Sequence, residues 1–130
     1  MSRTSVTSRD LAAFLSAQLA PELAGTGFHL SADGSDVVLR ASDGDTTRSG
    51  AAAILDDADG RTFSERVATA ARAVLSHLQD VVSTATGRPW PGSGSELSLP
   101  DAHVEDGSLV AWFGDADRPV WSSAPFPTER

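Results

Sequence analysis

The side chains most able to act as general bases are three histidines, His29, His77 and His103. No two of them stand at a ligand spacing such as H-x-x-x-H, and with cysteine absent a structural zinc site would need distant carboxylates to complete it. His77 falls near the apolar stripe of a long helical pattern, where a flank or packed position suits it. His29 and His103 alternate with apolar neighbours, which places both on the more polar face of a sheet. A base needs a proton within reach and a partner to orient it, and the sequence names neither.

Carboxylates gather in three loops: Asp43 with Asp45, Asp56 with Asp57 and Asp59, and Asp115 with Asp117. Hard cations take such oxygen ligands, but an EF-hand alignment fails, because Gly60 at the sixth position puts Leu55 at the first and Arg66 at the twelfth. Solvated loops and helix N-termini use aspartate in the same way. The string Gly92-Ser93-Gly94-Ser95 lacks the G-x-S-x-G pattern of a nucleophile elbow and follows a helix, so it reads as a linker. No G-x-G-x-x-G lies between a strand and a helix. Cys, Lys, Tyr and Asn are all missing, which removes thiolate nucleophiles, lysine Schiff bases, the P-loop lysine and tyrosine acids. The expectation is a protein with no cofactor and no metal, and more plausibly a binder than an enzyme.

Ten arginines against 18 carboxylates leave a net charge of −8. With no basic stripe, phosphate backbones would repel the chain, so no nucleic-acid partner is expected. Residues 1–10 are hydroxyl-rich and lead into no apolar segment of the kind a secretory signal requires. The longest apolar run, Ala51 to Leu55, is far shorter than the roughly 20 residues of a membrane span. A cytoplasmic protein with no membrane partner is the resulting expectation.

At 130 residues and 40% hydrophobic composition, the chain suits a single domain. Thr7 with Asp10 resembles a capping box, and Leu11, Phe14, Leu15 and Leu19 then share one helical stripe. From Phe28 the period becomes two. Phe28, Leu30 and Ala32, an Asp33-Gly34 turn signal, and then Val37, Leu39 and Ala41 predict a hairpin. A third strand is predicted over Gly50 to Leu55, after a polar loop from Ser42 to Thr47. The strongest pattern is a helix opened by Thr62 with Glu65 and closed by Gly87, apolar at Phe63, Val67, Ala70, Ala71, Val74, Leu75, Leu78, Val81 and Val82. At about 1.5 Å per residue this helix would span roughly 36 Å, which predicts some stripe in excess of what its sheet can cover. A second hairpin follows, Ala102 to Glu105 and Leu109 to Phe113 about Asp106-Gly107, then a short strand at Pro119 to Ser122. Residues 1–7 and 125–130 are expected as flexible ends. The Asp-Gly-Ser string shared by the two hairpin turns is too short to be a repeat.

Alternation in the second hairpin bears on function. If Leu109, Ala111 and Phe113 face the helices, Val110 and Trp112 face away, where Trp121 and Val38 of the first hairpin would join them. Val38, Val110, Trp112 and Trp121 are thus the candidate protein interface, an aromatic patch of the kind that marks docking surfaces. Two other arrangements are compatible with the sequence: the Pro-rich tail with Phe126 folds over this face, or the faces are reversed and Trp112 is core.

The element order α-β-β-β-α-β-β(-β) predicts an α+β fold, an antiparallel sheet with helices on one face. In its segments Ser8–Ala24, Phe28–Leu55, Thr62–Thr86 and Ala102–Phe113 the chain resembles the type III secretion chaperone-like fold. The final helix of that fold has no counterpart here, Pro125 to Arg130 standing in its place. The resemblance implies a homodimer that holds a protein client. The functional expectation is a non-catalytic protein-binding or chaperone-like module. The alternatives are an acidic immunity or inhibitor protein that blocks a basic partner, and third a small enzyme using Asp or His.

Overall fold

A computed structural model describes residues 6–56, 60–92 and 96–128. Helix α1 (Ser8–Leu19) opens on Thr7. Its hydroxyl accepts the Asp10 N–H at 3.2 Å, while the Asp10 carboxylate accepts the Thr7 N–H at 3.1 Å. Two donors left bare by the helix start are thereby satisfied reciprocally. Leu11, Ala12, Leu15 and Leu19 form its buried stripe, and Pro21 sits early in a 3₁₀ segment, Ala20–Leu23, where its missing N–H costs nothing.

Strands β1 (Phe28–Asp33), β2 (Asp36–Ala41) and β3 (Thr46–Ser49) form an antiparallel sheet in that order, with α1 packed on β1 and β2. The third strand lies earlier than the sequence predicts. Gly50 to Leu55 is not extended, because Ala51–Asp56 winds into 3₁₀ turns that bury Ala52 and Leu55. Alanine favours helical dihedrals and is poor in strands, and a spacing of three puts both buried residues on one side of a 3₁₀ helix. The true strand is polar because it is an edge, with only Ser49 fully buried.

Helix α2 (Phe63–Thr86) has the predicted bounds. The Thr62 hydroxyl accepts the Glu65 N–H at 3.2 Å, and Gly87 ends the helix at φ +68°. One side of α2 lies on the 3₁₀ segment Ala51–Asp56, and it packs against β4 (Pro100–Glu105) and β5 (Ser108–Gly114). No uncovered excess of its stripe is left, since burial extends to Val82. The connector after the helix folds back and supplies the cover. Trp90 is buried, its indole N–H donates to the Glu22 carbonyl at 2.8 Å, and its ring meets Phe113 edge-on at 5.8 Å.

The second sheet runs β4-β5-β6, with β6 at Pro119–Ser122, and β7 (Phe126–Pro127) pairs with the start of β5. The chain is thus α+β with antiparallel pairing and the predicted element order, its strands divided between two sheets that each carry a helix. Helix followed by three-stranded meander occurs twice. The shared Asp-Gly-Ser string nevertheless makes two different turns. In the first hairpin Gly34-Ser35 has positive φ only at Gly34, the pattern of a type II′ turn, whereas Asp106 and Gly107 both have positive φ, as in type I′. The string is shifted by one residue against the two registers, so it carries no repeat.

Of the ends expected to be loose, Val6, Thr7 and residues 126–128 are hydrogen-bonded, and residues 1–5 and 129–130 lie outside the described residues. The Val6 N–H donates to the Thr128 carbonyl at 3.0 Å, the Thr128 N–H donates to the Gly107 carbonyl at 2.9 Å, and Phe126 stacks on Phe14. The prolines that forbid a helix here are compatible with a short edge strand. Buried residues of both halves form one contiguous cluster. Among the described residues no helix is long and apolar enough to cross a membrane.

Candidate protein-binding surface

Burial along β5 alternates strictly. Leu109, Ala111 and Phe113 are buried, while Val110 and Trp112 are half-buried on the opposite side. This is the orientation with Phe113 in the core. Register places His103 across from Val110, and Asp101 and Ser122 on either side of Trp112. Side chains directly opposite in an antiparallel pair share a face, so these residues surround the valine and the indole. A groove of about 300 Å³ is lined by His103, Glu105, Val110, Trp112, Ala116, Pro119 and Ser122.

Trp121 does not belong to this face. It pairs with Phe113, which commits it to the core side, where it is 8% exposed with its ring 5.9 Å from that of Phe113. The ladder slips between Phe113 and Gly114, and the inward or outward sense of a strand beyond such an irregularity cannot be counted from the sequence. Val38 is half-buried on β2, between Ser31 and Arg48 and in the other sheet. Arg48 makes ion pairs with Asp33 and, at 3.8 Å, with Asp36 across that same face. Of the four predicted interface residues, the fold brings together Val110 and Trp112. Among the described residues the tail leaves them open, because Phe126 pairs with Leu109 and therefore lies on the inner side, against Phe14.

A second apolar surface escaped sequence reasoning. Leu97, Leu99 and Val120 are 49%, 69% and 47% exposed, the exposed large apolar side chains among the described residues. Two adjoining hollows of about 530 and 600 Å³ share Leu97 and Leu99. The first is walled by Ala73, Ser76, His77, Asp80 and Ser83 of α2, the second by Glu96, Asp101, Gly114, Asp115, Arg118 and Val120. The chain between is pinned: the Gln79 amide donates to the carbonyls of Trp90 and Ser98, and the Gly114 N–H donates to the Leu99 carbonyl at 2.9 Å. The signal available was the alternation Glu96-Leu97-Ser98-Leu99, hidden inside a turn-rich connector.

The groups singled out for catalysis lie apart. His29 is exposed on β1 across from Arg40, His77 lines the hollow beside α2, and His103 sits across from Val110. Asp43 accepts the Asp45 N–H in its own loop, and Asp56 accepts the Ser8 hydroxyl at 3.0 Å. Asp57, Asp59 and the segment Ser93 to Ser95 lie outside the described residues. Among the described residues no three histidine, aspartate or glutamate side chains converge as metal ligands. Neither a family model, nor a curated protein, nor a solved structure matches the chain.

Proposed function

We propose that the protein is a non-catalytic, chaperone-like protein-binding module that pairs with a second copy of itself through the outer face of its second sheet. The observation that carries this reading is the half-buried Val110–Trp112 pair, in a groove that no helix and no part of the tail covers among the described residues. A tryptophan beside a valine, ringed by polar side chains, has the make-up of an interface anchor. The same face holds an imidazole, His103, and a carboxylate, Glu105. A twofold axis brings such unlike groups of two copies together, and a single self-complementary patch is all that an isologous dimer requires. Light scattering of the wild type beside Trp112→Ser tests the proposal, with circular dichroism as the folding control. A dimeric wild type and a folded, monomeric variant are expected. A strictly monomeric wild type at high micromolar concentration would remove the self-pairing.

The acidic-inhibitor reading shares the net charge of −8. It differs in requiring a basic partner whose positive cleft the protein would block.

A further inference from the structure

We infer that the groove bearing Leu97, Leu99 and Val120 is the docking site for a cationic amphipathic polypeptide segment. The inference extends the binding-module reading to a second surface and names the chemistry of its client. Three large apolar side chains, each about half or more exposed, bound connected hollows while the rest of the large apolar side chains among the described residues are buried or half-buried. Such a concentration of solvent-facing apolar area marks a contact surface.

The groove is held open by the fold. Gln79 grips the Ser98 carbonyl and Gly114 the Leu99 carbonyl, so the backbone is fixed between the two leucines and at Leu99 itself. Val120 is held from beneath: a Cβ at Gly92 would lie 2.6 Å from its Cγ1, so only glycine lets the connector pass there. A preformed apolar surface loses little side-chain entropy when a client lands.

Charge selects the occupant. Asp80, Glu96 and Asp115 line the hollows; Asp101 is engaged by Arg72 at 3.5 Å, and Arg118 is the one arginine on this rim among the described residues. A second copy docked here would set this excess of carboxylates against an identical excess, a mismatch that disfavours self-pairing. A segment with leucine-type side chains on one side and arginine or lysine on the other fills the groove and pairs with its rim. Both the helix-in-groove and the added-strand modes present side chains this way.

The experiment is fluorescence anisotropy with three labelled synthetic peptides: an amphipathic Leu/Lys helix, its Leu/Glu counterpart, and a scrambled Leu/Lys sequence with no apolar face. Saturable binding of the first is expected. Leu97→Ser/Leu99→Ser should weaken it about tenfold or more, and raising salt from about 50 to about 300 mM should weaken it further. Trp112→Ser should leave it unchanged, which separates this site from the proposed dimer face. Both leucines are exposed, so the double variant retains its fold; shift mapping of the wild type by NMR locates the peptide independently. No binding, equal binding of the acidic or scrambled peptide, shifts centred on Val110 and Trp112, or a wild-type dimer that the leucine variant converts to monomer would each overturn the inference.

Discussion

The rings of Phe14, on α1, and Phe126, on β7, stack with centroids 4.2 Å apart and planes 15° from parallel. The contact joins the first helix to the last strand and fastens the second sheet to the first half of the chain. Phe126→Ala removes both the stacking and the apolar cover over α1. A loss of about 1–3 kcal/mol in urea unfolding is expected, less than for a fully buried phenylalanine because both rings are half-buried.

Leu78, on the buried stripe of α2, is 3% exposed. Leu78→Ala should destabilise by about 2–5 kcal/mol, the range of a large-to-small change that leaves a cavity. Urea unfolding followed by circular dichroism reads this directly.

These two positions differ in how openly the sequence declared them. Helix α2 was legible because caps, length and periodicity all agreed on it, and each is a local property. The alternation of β5 was legible for the same reason, but which face met the helices was not, because alternation fixes only that Val110 and Trp112 oppose Leu109, Ala111 and Phe113. Trp121 was not, since its direction depends on where β6 re-registers after the slip at Gly114, a tertiary fact with no local signature. Thr46–Ser49 escaped because an edge strand needs little apolar content. Phe126 escaped because a proline-flanked aromatic looks identical whether docked or free.

Gly92 has φ +95° and faces Val120 so closely that a methyl group would clash. Gly92→Ala should cost about 2–3 kcal/mol from overpacking and backbone strain together. Adding Val120→Ala should recover part of this loss but not all, because removing the clash leaves the positive φ in place. A double-mutant cycle on thermal unfolding separates the two contributions.

Gln79 is buried and donates to two backbone carbonyls, of Trp90 and of Ser98. Gln79→Leu keeps much of the volume and strips both acceptors of their partner, so a loss of about 2–4 kcal/mol is expected. Amide hydrogen exchange should show the connector around Trp90 and Ser98 opening before α2 does, whereas uniform loss of protection would mean that the glutamine supports the core as a whole.

The hydrogen bond from Val6 to Thr128 has a consequence for biosynthesis. Phe14 and the backbone of Val6 are synthesised long before their partners at residues 126–128. These contacts therefore wait until residues 126–128 have cleared the exit tunnel. Until then the Phe14 ring stays open to passing chaperones and proteases, while the buried stripe of α1 already has β1, β2 and Ala51–Asp56 to pack on.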